Sequence, residues 1–250
     1  MRRAMDRCGK DLTPNFMFNQ TAALYDLIYS SFKDYTAESD RLATLIARVR
    51  PGARTVLDVA CGTGEHARVL AERHGLAVDG IDLEPEFVRI ATAKNPAGRF
   101  VVADMCDFDL GRRYDVVMCL FSSIAYVRTL DRVARAIGRF RAHVAPGGAI
   151  IVEPWFPPDF LQDGRTSTDV GERDDVRVER RARTEVDARM SRLHFEYDIV
   201  DHGRAHHATE VHELGLFTPE EMIAAFESNG LTVDYDANGL IGRGLYVASC

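Results

Sequence analysis

Val56-Leu57-Asp58-Val59-Ala60-Cys61-Gly62-Thr63-Gly64 is the stretch that decides the fold of this 250-residue chain. Its apolar half predicts a buried β-strand, and its glycines predict a tight turn after the carboxyl end of that strand. Glycines in such a turn let the backbone approach a ligand with no Cβ in the way. A helix predicted at Glu65–His74 would offer its first N–H groups to a ligand carboxylate. The stretch therefore predicts a ligand-binding turn at the edge where open α/β sheets bind their ligands.

Strands and helices are predicted to alternate around this turn. Helical patterns at Ala22–Ser31 and Thr36–Val49 precede it. Continuous apolar runs separated by helices imply a parallel sheet that is covered on both faces. The expected strands are Thr55–Ala60, Ala77–Ile81, Phe100–Ala103, Tyr114–Leu120 and Ala149–Val152, and the helices between them are Glu65–His74, Pro85–Lys94 and about Leu130–His143.

The pattern changes after Pro154. Alternating polar and apolar residues predict three antiparallel strands, at Val176–Thr184, Met190–Asp201 and His207–Phe217. The core is then expected to resume with a helix near Pro219–Asn229 and with strands near Thr232–Tyr235 and Gly244–Ala248.

The predicted elements divide the chain into three parts. Residues 1–21 are expected to be a flexible N-terminus, and residues 161–217 an antiparallel β insertion. The core combines residues 22–160 with residues 218–250. We therefore expect an α/β fold of the Rossmann-like kind, with a mostly parallel seven-stranded sheet and a small antiparallel insertion.

Composition narrows the class of protein. A formal net charge of −7 argues against a nucleic-acid partner, because nucleic-acid binders usually carry a basic face. No apolar run approaches the ~20 residues that a membrane-spanning helix needs, so no membrane partner is expected. Five scattered cysteines without a CxxC pair predict no disulfide framework and favour the cytoplasm. His194, His206, His207 and His212 lack the spacing of a metal site, and no metal is expected.

The glycine turn by itself fits two cofactors. The segment from Gly62 to Ala67 also matches the loose G-x-G-x-x-A pattern of dinucleotide sites. Asp82, followed by Leu83, lies 20 residues after Gly62 at the end of the second strand. A carboxylate at that place suits the ribose hydroxyls of NAD and of S-adenosyl-L-methionine alike.

Three further segments favour S-adenosyl-L-methionine. Asp104-Met105 follows the third strand, where a carboxylate would accept a hydrogen bond from an adenine amine. Ser122-Ser123 follows the fourth strand, and Pro146-Gly147-Gly148 turns into the fifth. Two helices also precede the first strand, whereas many dinucleotide domains begin with that strand. In this order the segments resemble the class I methyltransferase pattern.

A narrower resemblance rests on two other segments, Leu120–Tyr126 (Leu-Phe-Ser-Ser-Ile-Ala-Tyr) and Val152–Phe156 (Val-Glu-Pro-Trp-Phe). They are similar to signature segments of the N,N-dimethyltransferases that act on nucleotide-linked amino sugars in antibiotic biosynthesis, of the desosamine and mycaminose type. The segments Ala23–Tyr29, Lys33–Tyr35 and Gly242–Leu245 also resemble that family. The likeness covers nearly the whole chain.

The resemblance implies a thymidine-diphosphate (TDP) amino deoxysugar as substrate and two successive methyl transfers to its amine. It also implies a small antiparallel sheet near the active site and, often, a homodimer. The residues expected to contact S-adenosyl-L-methionine are Tyr25, Asp58, Ala60, Gly62, Gly64, Asp82, Leu83, Asp104, Met105 and Phe121.

Tyr126 and Glu153 are the candidate catalytic residues. Tyr126 would orient the amine or a neighbouring sugar hydroxyl, or it would only form an aromatic wall. Some family members carry histidine at its position and others tyrosine, so no histidine base is assigned there. Glu153 would attract the amine, or it would form a structural ion pair with an arginine. The expected substrate-binding residues are Ser122, Ser123, Trp155 and Arg243.

Arg243 lies between two glycines, which would let its planar guanidinium reach a diphosphate; a solvated surface arginine is the alternative reading.

Other functions also remain open at this point. The chain would also suit a methyltransferase for another small amine or hydroxyl acceptor, because acceptor choice depends on the insertion and loops. The glycine pattern alone leaves an NAD(P)-dependent oxidoreductase or a non-catalytic cofactor-binding protein possible.

Overall fold

A seven-stranded sheet forms the centre of residues 22–249, which are the residues that the computed structural model describes. The predicted flexible N-terminus, 1–21, lies outside the described residues. The helices are α1 (Tyr25–Tyr29, preceded by a 3-10 helix at Ala22–Leu24), α2 (Tyr35–Val49), α3 (Glu65–His74), α4 (Pro85–Lys94), α5 (Leu130–His143) and α6 (Pro219–Glu227). The strands are β1 (Thr55–Val59), β2 (Ala77–Asp82), β3 (Phe100–Val102), β4 (Tyr114–Cys119), β5 (Val144–Val152), β6 (Thr166–Arg173), β7 (Val176–Asp187), β8 (Met190–Asp201), β9 (Arg204–Gly215), β10 (Thr232–Asp236) and β11 (Leu245–Ser249).

The central sheet has the strand order β10-β11-β5-β4-β1-β2-β3. Its neighbours from β5 to β3 pair in parallel, and only β11 runs antiparallel to both β5 and β10. This confirms the predicted α/β class and the mostly parallel sheet. The strand order reverses direction between β1 and β4, which is the place where such sheets bind ligands.

Helices cover both faces of this sheet, as the continuous apolar strands require. On one face Phe140 of α5 and Phe226 of α6 pack with Leu57 of β1 in one buried cluster. On the other face Leu42 of α2 and Leu70 of α3 pack in a second buried cluster. Because both faces of β1 are buried, the turn that follows β1 starts from a rigid strand.

The insertion is a separate antiparallel sheet of four strands in the order β6-β7-β8-β9. The prediction of three strands was wrong because it missed β6. The residues of β6, Thr166–Arg173, are mostly polar and exposed, so they give no alternating apolar signal. Pairing with β7, from Thr166 opposite Arg183 to Arg173 opposite Val176, makes this segment a strand.

One face of the four-stranded sheet faces α1 and the interior. Val178, Phe195 and Tyr197 of this inner face pack with Ile28 of α1 in a buried cluster. The sheet approaches α1 so closely that a Cβ added at Gly171 would stand 2.6 Å from the carbonyl oxygen of Leu27. The insertion and α1 are therefore packed directly against each other.

In residues 22–249, no helix is both long and apolar enough to span a bilayer. Within the same range, no group of three or more His, Cys, Asp or Glu side chains is arranged to hold a metal ion.

Candidate active site

The turn after β1 has a left-handed backbone at three positions. Ala60 has φ +59°, Gly62 has φ +54° and Gly64 has φ +74°. A Cβ added at Gly62 would meet no atom within 4 Å, so this glycine borders open space. A Cβ added at Gly64 would instead stand 2.7 Å from the side-chain nitrogen of Asn95. Gly62 therefore exposes the backbone to a ligand, whereas Gly64 lets the turn pack against the residues that follow α4.

Two buried carboxylates flank Gly62. Asp82 accepts the N–H of Gly62 on Oδ2 at 2.8 Å and the N–H of Glu84 on Oδ1 at 2.9 Å. Burial raises the pKa of Asp82 to about 6, although the hydrogen bonds from the backbone oppose that shift. Burial, together with the charge of Asp82, raises the pKa of Asp58 to about 8. Oδ2 of Asp58 is buried and has no hydrogen-bond partner among the described residues, so a ligand donor would satisfy it.

A cavity of about 480 Å³ opens beside the turn. It brings together most of the predicted site residues, which come from α1, from the carboxyl ends of β1 to β5 and from the turn between β10 and β11. On the cofactor side it is lined by Tyr25, Ala60, Gly62, Asp82, Leu83, Asp104, Met105 and Phe121, and on the other side by Ser122, Ser123, Tyr126, Trp155 and Arg243.

Three predicted residues do not line this cavity. Asp58 lines a smaller pocket, which shares Ala60 and Gly62 with the cavity. Gly64 packs against Asn95, and Glu153 is fully buried. The structure therefore brings most of the predicted residues to one cavity and leaves these three outside its lining.

Asp104 is a partly exposed carboxylate at the end of β3. Its Oδ1 accepts the N–H of Cys106 at 2.8 Å, and its Oδ2 lies 3.0 Å from Nη2 of Arg132. Partial burial opposes ionisation, but these two partners outweigh it and hold the pKa of Asp104 below its usual value. The side chain is therefore an ionised acceptor at the rim of the cavity.

Lys33 is a buried cation that sequence reasoning assigned to no role. Its Nζ lies 3.2 Å from Oε2 of Glu38 and 3.6 Å from the centre of the Phe121 ring. Burial lowers the pKa of Lys33, and the charge of Glu38 opposes this shift. Lys33 lines the smaller pocket with Asp58. The available signal was its position directly before Asp34, which caps α2.

The backbone after β4 is also left-handed, at Phe121 (φ +51°) and Ser122 (φ +66°). Glu153 stabilises this strained segment, because its Oε2 accepts the N–H of Phe121 at 2.7 Å. Burial raises the pKa of Glu153, while the charge of Arg243 opposes the shift. The hydroxyl of Ser122 donates to the carbonyl of Pro154 at 2.8 Å, which ties the same segment to the end of β5.

Arg243 is held by aromatic rings and a hydroxyl. Its guanidinium lies 4.7 Å from the centre of the Phe121 ring and 5.5 Å from that of Trp155. Its Nη1 donates to Oγ of Ser122 at 3.2 Å. The indole N–H of Trp155 is bound in turn by Ser191 of β8, at 2.9 Å. Arg243 is thus a partly buried cation at the cavity wall, and not a solvated arginine.

The insertion contributes residues that sequence reasoning did not connect with the site. The Tyr126 hydroxyl lies 2.8 Å from Nδ1 of His212, a residue 86 positions away in the chain. Arg180 of β7 also lines the cavity, paired with Asp169 at 2.7 Å and lying against the Tyr29 ring. No local pattern predicts these contacts, because they depend on how the second sheet packs on the core.

Comparison with known proteins identifies the fold and the chemistry. Residues 56–148 match the methyltransferase domain family. The chain is 38% identical, over 91% of its length and 89% of the relative, to dTDP-3-amino-3,6-dideoxy-alpha-D-glucopyranose N,N-dimethyltransferase of Streptomyces fradiae. The predicted enzyme class is thereby confirmed.

Two solved structures are also similar. The crystal structure of DesVI from Streptomyces venezuelae matches with a TM-score of 0.86 and 36% identity, and covers 92% of this chain and 98% of DesVI. The S-adenosylmethionine-bound structure of CalS10 from Micromonospora echinaspora, an amino pentose methyltransferase involved in calicheamicin biosynthesis, matches with a TM-score of 0.81 and 33% identity over 90% and 96% of the two chains. These matches resolve the cofactor ambiguity of the glycine turn in favour of S-adenosyl-L-methionine. The chain therefore belongs to the family of S-adenosyl-L-methionine-dependent N,N-dimethyltransferases of nucleotide-linked amino sugars.

Proposed function

We propose that this protein transfers two methyl groups in succession to the amine of a dTDP-linked amino deoxysugar. The observation that carries the proposal is the shared cavity, in which the glycine turn after β1 and the ring-bound guanidinium of Arg243 face the same space. A cofactor on one wall and a diphosphate on the other would bring the sugar amine between them.

The residues on the cofactor side fit S-adenosyl-L-methionine. Open space at Gly62 would accept its chain beside the backbone, and the orphaned oxygen of Asp58 would accept its ammonium group. Asp82 would bind the ribose hydroxyls, since a carboxylate has about four lone-pair sites and the backbone does not occupy all of them. Lys33 would attract the carboxylate from the smaller pocket. When bound, the cofactor supplies an electrophilic methyl group on a sulfonium.

Other side chains would enclose the same ligand. Leu83 and Met105 would lie against the adenine, and Asp104 would accept a hydrogen bond from its amine. Tyr25 and Phe121 would close over the remaining faces, since both line the cavity and the smaller pocket. Ala60 and Gly64 would shape the turn that carries these contacts.

On the acceptor side the residues of the chain would hold the sugar nucleotide in place. Arg243 would bind the diphosphate, with Ser122 and Ser123 beside it and Trp155 as an apolar wall. Holding the amine about 3 Å from the methyl group supplies several kcal/mol through alignment alone. Glu153 would act indirectly, by keeping the Phe121 segment in its strained conformation and by balancing the charge of Arg243.

Activity on a sugar nucleotide tests the function directly. Purified protein with S-adenosyl-L-methionine and dTDP-3-amino-3,6-dideoxy-α-D-glucopyranose should give a product that carries two added methyl groups by mass spectrometry. A plain alkyl amine, which lacks the nucleotide, should react at least tenfold more slowly. Equal rates on both would favour a methyltransferase for other small acceptors. Cofactor binding without transfer to any acceptor would favour a binding protein.

Substitution of Asp82 tests the cofactor site. Asp82→Ala removes a charged acceptor, and such hydrogen bonds contribute about 1.5–3 kcal/mol, so affinity for S-adenosyl-L-methionine should fall roughly 10- to 100-fold in calorimetry. Glu86→Gln is the control, because Glu86 is an exposed acid that pairs with Arg89 on the surface of α4. Full affinity in Asp82→Ala would contradict the ribose assignment.

Substitution of Arg243 tests the diphosphate site. Arg243→Ala should raise the KM for the sugar nucleotide by roughly 10- to 100-fold, because a charge-assisted contact is lost, and should change the KM for the cofactor much less. Arg48→Ala, at an exposed position of α2, is the matched control. An unchanged KM for the sugar nucleotide in steady-state kinetics would rule out the proposed role.

We also infer a cytoplasmic homodimer. Cys61, Cys106 and Cys119 are buried free thiols, as expected in a reducing compartment. The outer face of the four-stranded sheet exposes Val170 of β6, Val200 of β8 and Val211 of β9, and these valines would be covered by a second copy.

Light scattering in solution tests the dimer. The measured mass should be about twice the 27.9 kDa of one chain. Val200→Lys should shift it toward the monomer, because a charge would be buried at the interface. Val102→Lys, at an exposed valine on β3 of the central sheet, should leave the dimer intact. A monomeric wild type would overturn this inference.

A further inference from the structure

Four side chains form a buried chain of hydrogen bonds behind the acceptor side of the cavity. The Tyr126 hydroxyl lies 2.8 Å from Nδ1 of His212, and Nε2 of His212 lies 3.3 Å from Oε2 of Glu210. The Tyr197 hydroxyl donates to the same oxygen of Glu210 at 2.9 Å. His212 is 0% exposed, and Tyr126 lines the cavity. These hydrogen bonds therefore run from the cavity wall to the inner face of the insertion.

The carboxylate of Glu210 determines which way these hydrogen bonds point. An ionised carboxylate only accepts, so Nε2 of His212 carries the proton. In a neutral imidazole the other nitrogen is then an acceptor, and Tyr126 must donate its O–H to Nδ1. The Tyr126 oxygen then keeps a lone pair that can accept a hydrogen bond from a ligand in the cavity that Tyr126 lines. A ligand there must therefore offer a proton to Tyr126, as an amine or ammonium does.

Methylation of an alkyl amine requires removal of such a proton. An alkyl ammonium has a pKa of roughly 10, so only about one molecule in a thousand is neutral at pH 7. The nitrogen lone pair is the nucleophile, and the ammonium form has none. Two successive transfers would meet this obstacle twice.

We propose that Tyr126, His212 and Glu210 form a relay that takes the proton from the substrate amine before each methyl transfer. An N–H bond of the ammonium breaks and its electron pair stays on nitrogen, while the proton binds the Tyr126 oxygen. The original phenolic proton moves to Nδ1 of His212. The positive charge thus passes from the ammonium to the imidazolium, which faces Glu210. Reversal of the shift returns the proton to water once the cavity reopens.

This proposal rests on the proposed function, and it makes Tyr126 the group that touches the substrate. His212 and Glu210 are positioning residues that act through it. Burial raises the pKa of Tyr126 well above its usual value, with further contributions from Tyr29 and Tyr197, so a lasting phenolate is disfavoured and a concerted transfer is favoured.

Titratable and charged groups on neighbouring elements act on these hydrogen-bonded side chains. Glu210 of β9 and Asp82 of β2 act on Tyr126, and Tyr29 of α1 acts on both tyrosines. Arg180 of β7 acts on Tyr197 and is paired with Asp169 of β6.

The test compares the pH profiles of kcat for His212→Asn, Tyr126→Phe and Glu210→Gln between pH 6.5 and 9.5, on the dTDP-3-amino sugar. At pH 7 the first two variants should lose about 100-fold in kcat, in the range of general acid–base catalysis. The loss should shrink to less than tenfold at pH 9.5, because solution then supplies the free amine. Glu210→Gln should lose less than 100-fold in kcat at pH 7, and its loss should also shrink as the pH rises.

His194→Asn is the matched control. His194 lies on β8 of the same sheet, pairs with Glu185 at 3.1 Å and lies on the outer face. It should keep the wild-type profile. Affinity for S-adenosylhomocysteine, measured by calorimetry, should stay within twofold in every variant, since the relay does not line the cofactor side.

The outcomes separate the relay from the function. A loss of kcat that is equal at all pH values, or no loss in folded variants, would overturn the relay alone. If His212→Asn does not fold, Tyr126→Phe and Glu210→Gln decide by the same criterion. A wild type that binds cofactor but turns over no sugar nucleotide would overturn the proposed function, and the relay with it.

Discussion

The hydrogen bond from the Gly62 N–H to Asp82 is the constraint on which the site depends. It joins the turn after β1 to the end of β2, two strands that are adjacent in the sheet. A buried carboxylate is costly to desolvate, and the raised pKa of Asp82 reflects that cost. The two backbone N–H groups that Asp82 accepts offset it and hold the left-handed turn in one conformation. The open side of Gly62 therefore stays directed toward the cavity.

Local signals predicted most of the core. The helices α3, α4 and α5 begin and end where the sequence predicted, because each has a marked terminus. Gly75 ends α3 with a left-handed residue, Pro85 starts α4, and the Thr129 side chain caps α5. Since the strands run in parallel, their carboxyl ends meet at one edge, and Asp82, Asp104 and the serines after β4 line one cavity there.

The insertion contains features that local sequence signals did not predict. Strand β6 is polar and is defined by its partner, so its own residues carry no periodic signal. The contact between Tyr126 and His212 depends on the packing of one sheet on the other, as does the position of Arg180. Lys33 has no local signal of burial, because its contact with the Phe121 ring arises only when the segment before α2 packs against the segment after β4. Each of these residues is placed by tertiary contacts, and not by its neighbours in the chain.

The register of the insertion sets the chemistry of the cavity. Residues on one face of a strand recur with a period of two, so Ala208, Glu210, His212 and Leu214 of β9 point inward together. A slip of one residue between β8 and β9 would turn His212 and Glu210 to the outer face, where His194 and Glu185 now form a similar but solvated pair. The close contact of Gly171 with Leu27 holds the sheet against α1. The same packing that shapes this side of the cavity thus keeps a histidine and a carboxylate behind Tyr126.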